Sequence, residues 1–197
     1  NTMKLEIKQR VAALRKFMQG NGIQAFILPT TDPHNSEYVA SHWEARKWLT
    51  GFTGSAGTAV ITMKKAGLWT DSRYFLQAAE QLEGTDITLF KERMPETDII
   101  GMDGWVNGID FKESLYEACS PKGIQVKSVT DPFDEIWEDR PALPSEPVFI
   151  LEEKYAGLSC RKKIELIREE IHKNNCQSIL LSALDEIAWT LNLRGSD

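Results

Sequence analysis

The chain contains one helix–turn–strand pattern twice, and the second copy begins 153 positions after the first. Residues 10–32 read RVAALRKFMQGNGIQAFILPTTD, and residues 163–185 read KIELIREEIHKNNCQSILLSALD. Each copy has apolar residues at helical spacing, then a polar break, then a short apolar run. A strand needs neighbouring strands to pair its backbone groups. More than a hundred residues follow the first copy before the second begins, but only about a dozen follow the second. We therefore expect the second copy to start an incomplete domain.

The order of the remaining patterns predicts an α/β fold. Residues 3–20 form a predicted core-facing helix, because Ile7, Val11, Leu14 and Met18 recur at helical spacing. Strands are predicted at residues 25–28, 58–62, 67–70, 85–90, 99–102 and 124–129, and further helices at 36–49, 72–81 and 110–119. Alternation of this kind indicates a mixed sheet flanked by helices.

A proline-rich segment divides the chain. Residues 140–147 hold three prolines in eight positions, which excludes a regular helix or a central strand. We predict a first domain at 1–140, a linker at 141–147 and the start of a second, similar domain at 148–197. In that second domain we expect a helix at 159–174, a strand at 178–181 and a last helix capped by Asp185. The stripe of the 159–174 helix consists of Cys160, Ile164, Ile167 and Ile171.

Composition excludes several function classes. The net charge is −6, from 29 acidic and 23 basic residues, which argues against non-specific binding to nucleic acid. The sequence lacks a run of about 18 apolar residues, so no membrane span is predicted. Cys119, Cys160 and Cys176 form no CxxC pair. This pattern favours free thiols in a reducing compartment and therefore a cytoplasmic protein.

Residues 32–38, DPHNSEY, place an imidazole and two carboxylates directly after a predicted strand. Ligand sites often lie outside the ends of strands in open α/β sheets. His34 could therefore donate to a carboxylate or a carbonyl of a substrate. A local interpretation is also open, in which Asp32 shapes a turn and Ser36 caps the next helix.

Residues 69–75, WTDSRYF, place Asp71 and Arg73 at a spacing suited to an ion pair. In one interpretation Asp71 caps the helix and Arg73 balances its charge. In the other, Arg73 projects outward and holds a carboxylate in bidentate fashion.

The glycine-rich segment 51–57, GFTGSAG, differs from a phosphate-binding loop. Its glycines lack the GxGxxG spacing, and a predicted strand follows it where a helix is required. Close packing of the loop backbone is the favoured interpretation. The three histidines, His34, His42 and His172, are scattered, so the residues predict neither a metal site nor a catalytic centre.

Several motifs together resemble one family. They are DPHNSEY at 32–38, GFTGSAG at 51–57, WTDSRYF at 69–75, IWEDRP at 136–141, ALDEIAW at 183–189 and NLRGSD at 192–197. In this order they are similar to the three-domain Xaa-Pro aminopeptidases (aminopeptidase P). The resemblance implies two creatinase-type N-terminal domains of ribonuclease-H-like α/β fold, followed by a catalytic domain with two divalent metal ions, usually manganese. The metal ligands of the family lie in that third domain, so we expect no cofactor and no catalytic residue in this chain, and an inactive fragment.

The resemblance also implies a function for the whole protein. Such enzymes remove an N-terminal residue that precedes proline, and their N-terminal domains wall off the substrate cleft and help dimers form. The expected partners are proline-containing peptides, the protein's own C-terminal catalytic domain and a second copy. His34 and Arg73 become candidates for the cleft rim, whereas Arg194 and Asp197 are expected to form buried pairs or domain contacts.

Two other functions stay open at this point. The same fold could serve as a catalytically dead peptide- or protein-binding module, as in some histone-chaperone subunits. The presence or absence of the downstream metal ligands separates that module from the enzyme. Creatinase-like C–N hydrolysis fits less well, because those relatives have one N-terminal domain.

Overall fold

The computed structural model describes residues 2–91 and 99–195. Its backbone forms two compact units. One unit consists of Asn1–Pro33 and Glu37–Ala142, and the other of His34–Ser36 and Leu143–Asp197. None of the helices in the described ranges is both long and apolar enough to cross a bilayer.

The first unit is a mixed α/β structure, as predicted. Its helices are α1 (Thr2–Gly20), α2 (Ala45–Thr50), α3 (Phe75–Leu82), α4 (Ile109–Cys119) and α5 (Phe133–Ile136). Its strands are β1 (Ala25–Pro29), β2 (Thr58–Thr62), β3 (Ala66–Trp69), β4 (Thr88–Phe90), β5 (Ile99–Asp103) and β6 (Gln125–Val129). Short 3₁₀ turns occupy Ser41–Trp43, Ser72–Tyr74 and Ser120–Lys122.

The six strands form one sheet in the order β4-β3-β2-β1-β5-β6. Strand β2 is antiparallel to β1 and β3, whereas the pairs β1–β5, β5–β6 and β3–β4 are parallel. Every strand except β2 therefore points the same way. As a result, the loops that leave the carboxyl ends of these five strands all lie along one edge of the sheet.

Alternate residues of the strands belong to two apolar clusters, one on each face of the sheet. The larger cluster joins Phe26 and Leu28 of β1 to the buried stripe of α1. That stripe is the predicted one, Ile7, Val11, Leu14 and Met18, with Phe17 added. The smaller cluster joins Ala25 and Ile27 to Cys119 of α4. Each large side chain buried in this way contributes about 1.5–3 kcal/mol, so α1 is fixed mainly by its packing.

Two predicted elements begin later than expected. The helix predicted at 36–49 is wrong over residues 36–40, because Asn35 has a φ of 54° and Ala40 is extended. The chain then makes a 3₁₀ turn before α2 starts at Ala45. Similarly, β4 starts at Thr88 and not at residue 85, because Asp86 has a φ of 65°. A left-handed residue interrupts both patterns.

The second unit contains α6 (Glu153–Ala156), α7 (Cys160–Lys173), α8 (Leu184–Leu191) and a short antiparallel pair of strands, β7 (Phe149–Ile150) and β8 (Leu193–Arg194). A buried lysine ties the two longer helices together. The Lys163 Nζ donates to the carbonyl oxygen of Trp189 at 2.9 Å and to Oδ1 of Asn192 at 2.6 Å. Its contacts fix the end of α8 against the first turn of α7.

Two predictions for the second unit are wrong. Residues 178–181 do not form a strand, because none of the residues that the structure describes pairs with them. Asp185 does not cap α8, since the cap residue is the extended Ala183, and Asp185 lies in the first turn with its Oδ1 accepting from the Glu186 amide at 3.0 Å. The predicted helix at 159–174 is present as α7, and the Ser159 hydroxyl caps it.

Candidate functional site

A buried arginine organises the loop that precedes β2. Arg46 of α2 is 3% exposed, and its guanidinium donates to three neutral oxygens. The acceptors are Thr30 Oγ1 at 2.9 Å, the Phe52 carbonyl at 2.5 Å and the Gly54 carbonyl at 2.5 Å. Burial lowers the pKa of Arg46 to about 10, against which Glu44 acts weakly. The side chain stays charged at neutral pH and fixes residues 51–57 on the carboxyl end of β1.

The glycines of this loop allow close packing around one aromatic ring. A Cβ on Gly54 would lie 2.3 Å from Cζ of Phe52, and one on Gly57 would lie 3.3 Å from Cε1 of the same ring. Gly51 ends α2 with a φ of 73°, a conformation that glycine adopts without strain. These distances support the packing interpretation of GFTGSAG over phosphate binding.

Polar side chains of α3 hold the outer side of the same loop. The Thr53 amide donates to Oε1 of Gln81 at 2.9 Å, and the Thr53 hydroxyl accepts from Nε2 of Gln77 at 2.8 Å. Next to them, the hydroxyls of Ser55 and Tyr74 lie 2.7 Å apart. The loop is therefore bound from both sides and presents hydroxyl groups to its surroundings.

A hollow of about 190 Å³ opens beside the loop, at the carboxyl end of β1. Its wall includes Thr30, Tyr38, Trp43, Thr53 and Ser55. Glu44 and Lys47 also line it, and their side chains pair at 2.8 Å. The hollow thus combines aromatic surface with hydroxyl groups and has room for one small side chain.

Arg73 lies at the same edge of the sheet and forms the predicted ion pair with Asp71. Its Nε and Nη2 donate to the two carboxylate oxygens at 2.9 and 2.8 Å. The Arg73 amide also donates to Oδ1 of Asp71 at 3.0 Å, so Asp71 caps the 3₁₀ turn as well. Hydrogen bonding to Arg73 lowers the pKa of Asp71, and the same bond raises the pKa of Arg73. Both side chains are solvent-accessible, so the pair can exchange with an arriving carboxylate.

An acidic group at the ends of β5 and β6 is balanced by one buried arginine. Arg140 contacts Asp131 at 2.8 Å and Asp134 at 2.6 Å, and its side chain is only 7% exposed. Burial raises the pKa of Asp103, although the Trp105 amide donates to its Oδ1 at 2.9 Å. In the described ranges, 2–91 and 99–195, no three His, Cys, Asp or Glu side chains are grouped to hold a metal ion.

The other predicted site residues are spread over the chain. His34 is exposed and is grouped with the second unit, whereas Asp32 is buried in the first. Arg194 donates to the Ala188 carbonyl at 3.0 Å and so closes the end of α8. Asp197 lies outside the described residues, and its expected role stays a prediction.

Sequence reasoning missed the buried cations. Arg46, Arg140 and Lys163 are each almost fully buried. Arg140 stood within the IWEDRP motif and Lys163 at the start of the repeated segment, but the sequence predicted burial of neither. Arg46 is followed by Lys47, and Lys163 is preceded by Arg161 and Lys162, so no local signal separated the buried cations from solvated ones.

Comparison with known protein families matches each of the two units to a creatinase/prolidase N-terminal domain. Residues 10–136 match one family of creatinase/prolidase N-terminal domains, and residues 139–197 match a second family with the same description. The chain is 40% identical over 202 residues to human Xaa-Pro aminopeptidase 2, covering 95% of this chain and 30% of that protein. It is 42% identical over 205 residues to a probable Xaa-Pro aminopeptidase P of Laccaria bicolor, covering 96% of this chain and 32% of that protein.

Solved structures of related proteins have the same fold. The X-prolyl aminopeptidase of Caenorhabditis elegans, described as a cytosolic enzyme with a di-nuclear active site, superposes with a TM-score of 0.86 at 33% identity, over 97% of this chain and 35% of that one. The N-terminal domain of a putative metallopeptidase from Corynebacterium diphtheriae shares the fold, with a TM-score of 0.51 at 23% identity, over 64% of this chain and 97% of that one. The chain spans about a third of the length of its aminopeptidase relatives. It belongs to the creatinase/prolidase N-terminal domain family.

Proposed function

We propose that the chain is the N-terminal part of a metal-dependent Xaa-Pro aminopeptidase, which removes the first residue of a peptide when proline follows it. One observation carries the proposal: identity of about 40% to proteins named Xaa-Pro aminopeptidases over nearly the whole chain. The corresponding domain bounds are 1–140 and 148–197, with the proline-rich linker at 141–147 between them.

The chemistry belongs to the part of the relatives that this chain does not span. Two divalent metal ions, manganese in this proposal, would supply a hydroxide nucleophile there. The residues present here do not fit such a centre. The carboxylates Asp131 and Asp134 are occupied by Arg140, and the described residues hold no three grouped metal ligands. We therefore expect the 197-residue chain alone to be inactive.

The carboxyl edge of the sheet is proposed as a wall of the substrate cleft. Its loops are rigid, because Arg46 and the two glutamines bind residues 51–57 from both sides. Arg73 is exposed and already bound to a carboxylate, that of Asp71. It can transfer this bidentate contact to the carboxylate of a short peptide. His34 is proposed as a second rim residue.

This wall would exclude folded proteins and admit short peptides, and a second copy would complete a cytoplasmic homodimer. An exclusion role predicts that changes at the rim alter peptide capture and leave bond cleavage intact.

The test uses the full-length protein, manganese and an Arg-Pro-Pro peptide. We expect cleavage before the first proline by the full-length protein and none by the 197-residue chain. Arg73→Ala should raise KM several-fold with kcat nearly unchanged, because only an interaction with the incoming peptide is lost. His34→Ala should act in the same direction.

Lys8→Ala is the matched control for Arg73→Ala, since Lys8 is also an exposed cation in a surface ion pair, and its partner Asp86 precedes β4, at the amino end of that strand. Equal KM values for Arg73→Ala and wild type would remove Arg73 from the rim. Cleavage by the 197-residue chain would refute the proposal that the catalytic centre lies outside this chain. A full-length protein that binds peptides and never cleaves them would be a catalytically dead module instead.

A further inference from the structure

The polar groups on one side of the hollow beside β1 already have partners within the protein. The Thr30 hydroxyl donates to the Gly57 carbonyl at 2.9 Å and accepts from Nε of Arg46 at 2.9 Å. The charges of Glu44 and Lys47 pair with each other at 2.8 Å. These groups are therefore hydrogen-bonded or neutralised before any ligand arrives.

The polar groups on the loop side of the hollow have partners in the same way. The Thr53 hydroxyl accepts from Nε2 of Gln77 at 2.8 Å and from Nε2 of Gln81 at 2.9 Å. The hydroxyls of Ser55 and Tyr74 lie 2.7 Å apart. A polar side chain that entered the hollow would lose its hydrogen bonds to water and meet groups that already hold other partners, which costs free energy. An apolar side chain avoids this cost and gains by leaving water.

Two aromatic rings, those of Tyr38 and Trp43, complete the hollow. Trp43 is half-buried, and the Arg140 guanidinium lies 5.4 Å from its ring centroid, whereas Tyr38 is 86% exposed. An apolar cavity of about 150 Å³ accommodates a benzene molecule. The hollow, at about 190 Å³, therefore has room for one apolar side chain up to the size of that of phenylalanine.

One tyrosine ring separates the hollow from Arg73. The Tyr74 hydroxyl contacts Ser55 on the wall of the hollow, and the Arg73 guanidinium lies 5.4 Å from the centroid of the same ring. Phe52 packs edge-on against Tyr74, with the two ring centroids 5.9 Å apart, and so fixes the ring. A peptide residue whose carboxylate is held by Arg73 can therefore extend its side chain along this ring to the hollow.

We propose that the hollow and Arg73 together bind the last residue of a short peptide. Arg73 holds the free α-carboxylate, and the hollow takes an apolar side chain of that same residue. The inference rests on the proposed function and names its substrate class, which is short peptides that end in an apolar residue. Tyr38 and Trp43 are then specificity-determining residues.

The last residue of the peptide is favoured over an interior residue by the ion pair of Arg73. Both oxygens of the Asp71 carboxylate accept from Arg73, at 2.9 and 2.8 Å. A ligand that takes over this contact has to supply a carboxylate of its own, because a neutral amide cannot replace a bidentate charged acceptor. The main chain of a peptide has such a group only at its carboxyl end.

The experiment uses the full-length protein with manganese and tripeptides Arg-Pro-X in which a methylene replaces the first carbonyl, so that they cannot be hydrolysed. Titration calorimetry measures Kd for X equal to leucine, asparagine and glycine. Leucine and asparagine have similar shapes, and we expect leucine to bind at least about fivefold more tightly than asparagine, which should bind no better than glycine. Amidation of the last carboxylate should weaken the leucine peptide at least about fivefold.

Tyr38→Ala should bring the Kd of the leucine peptide close to that of the glycine peptide and leave the glycine peptide unchanged, because one wall of the hollow is lost. Tyr38→Phe should bind as the wild type does, since the ring and not the hydroxyl forms the wall. Tyr116→Ala is the matched control, because Tyr116 is also exposed, at 58%, and lies on α4 outside the hollow.

Equal Kd values for the leucine and asparagine peptides would overturn the inference, as would equal effects of Tyr38→Ala and Tyr116→Ala. An unchanged Kd after amidation would overturn the assignment to the last residue. Cleavage of the unmodified Arg-Pro-Leu peptide is measured separately. Cleavage without selective binding removes only the hollow as a binding site, whereas selective binding without cleavage removes only the proposed function.

Discussion

Replacing Arg46 with methionine tests how much its hydrogen bonds to the loop of residues 51–57 stabilise the first unit. Methionine keeps an apolar stem and removes the donors to Thr30, Phe52 and Gly54. Hydrogen bonds from a charged donor contribute about 1.5–3 kcal/mol each, so the three together contribute about 6 kcal/mol. Methionine recovers part of this, because it replaces a buried charge, whose pKa is lowered by burial to about 10, with an apolar side chain. We expect Arg46→Met to lower the free energy of unfolding of the first unit by at least about 3 kcal/mol.

Urea unfolding of the 197-residue chain measures this change. The signal is the near-ultraviolet circular dichroism of the stacked pair Trp48 and Trp137, whose ring centroids lie 5.0 Å apart. Lys47→Met is the control, because Lys47 is the next residue in α2 and its surface ion pair with Glu44 contributes at most about 1 kcal/mol. An Arg46→Met variant no less stable than Lys47→Met would refute the idea that these hydrogen bonds hold the loop.

Three further changes test other contacts of the first unit by the same unfolding assay. Gly54→Ala should lose about 1–3 kcal/mol, since its Cβ would meet the Phe52 ring, whereas Gly20→Ala, with nothing within 4 Å, should be neutral or slightly stabilising; equal effects would contradict the packing argument. Arg140→Met should lose about 3 kcal/mol, because it removes the charged donor that contacts Asp131, whose side chain is 16% exposed, whereas Arg73→Met, in an exposed pair, should change the free energy of unfolding much less. For Asp103 the pKa is raised in the folded state, so wild-type stability should fall as pH rises from the ordinary value through the raised one. Asp103→Asn should lack that loss, and an unchanged pH profile would show that the carboxyl does not titrate as described.

The first unit was largely predictable because its strongest patterns coincide with its deepest burial. The stripe of α1 is 0–5% exposed at Ile7, Val11, Leu14 and Met18, and such positions have helical spacing by necessity. Strand β1 is buried on both faces and therefore reads as an unbroken apolar run. Both elements are therefore specified by apolar side chains that are all buried.

The elements that were predicted wrongly depend on residues outside the predicted segment. Residues 36–40 stand at the start of an aromatic-rich segment that reads as a helix, but the left-handed Asn35 before them redirects the chain. Residues 178–181 have the composition of a buried strand and lack a paired neighbour among the described residues. Local propensity cannot supply a missing partner.

The candidate site was only partly predictable, for a related reason. The Asp71–Arg73 pair was predictable because its members are two residues apart, so local geometry decides the contact. Arg46 could not be found in this way, because its Thr30 acceptor is sixteen positions away and becomes a neighbour only when β1 and α2 pack together.

Arg10 and Lys163 show how a basic residue can hold two helices together without standing out in the sequence. Arg10 and Lys163 each donate to a carbonyl in the last turn of a second helix, at Trp48 and Trp189. Carbonyls at that position lack the i+4 amide partner of a helix interior, although the Trp189 carbonyl accepts a long bond of 3.4 Å from the Asn192 amide, and the helix dipole places negative potential there. These carbonyls and the indole rings therefore stabilise both cations, and Arg10 also forms an ion pair with Glu6 at 3.4 Å. Arginine and lysine both meet this requirement, so the contact persists between the two units although the residue differs.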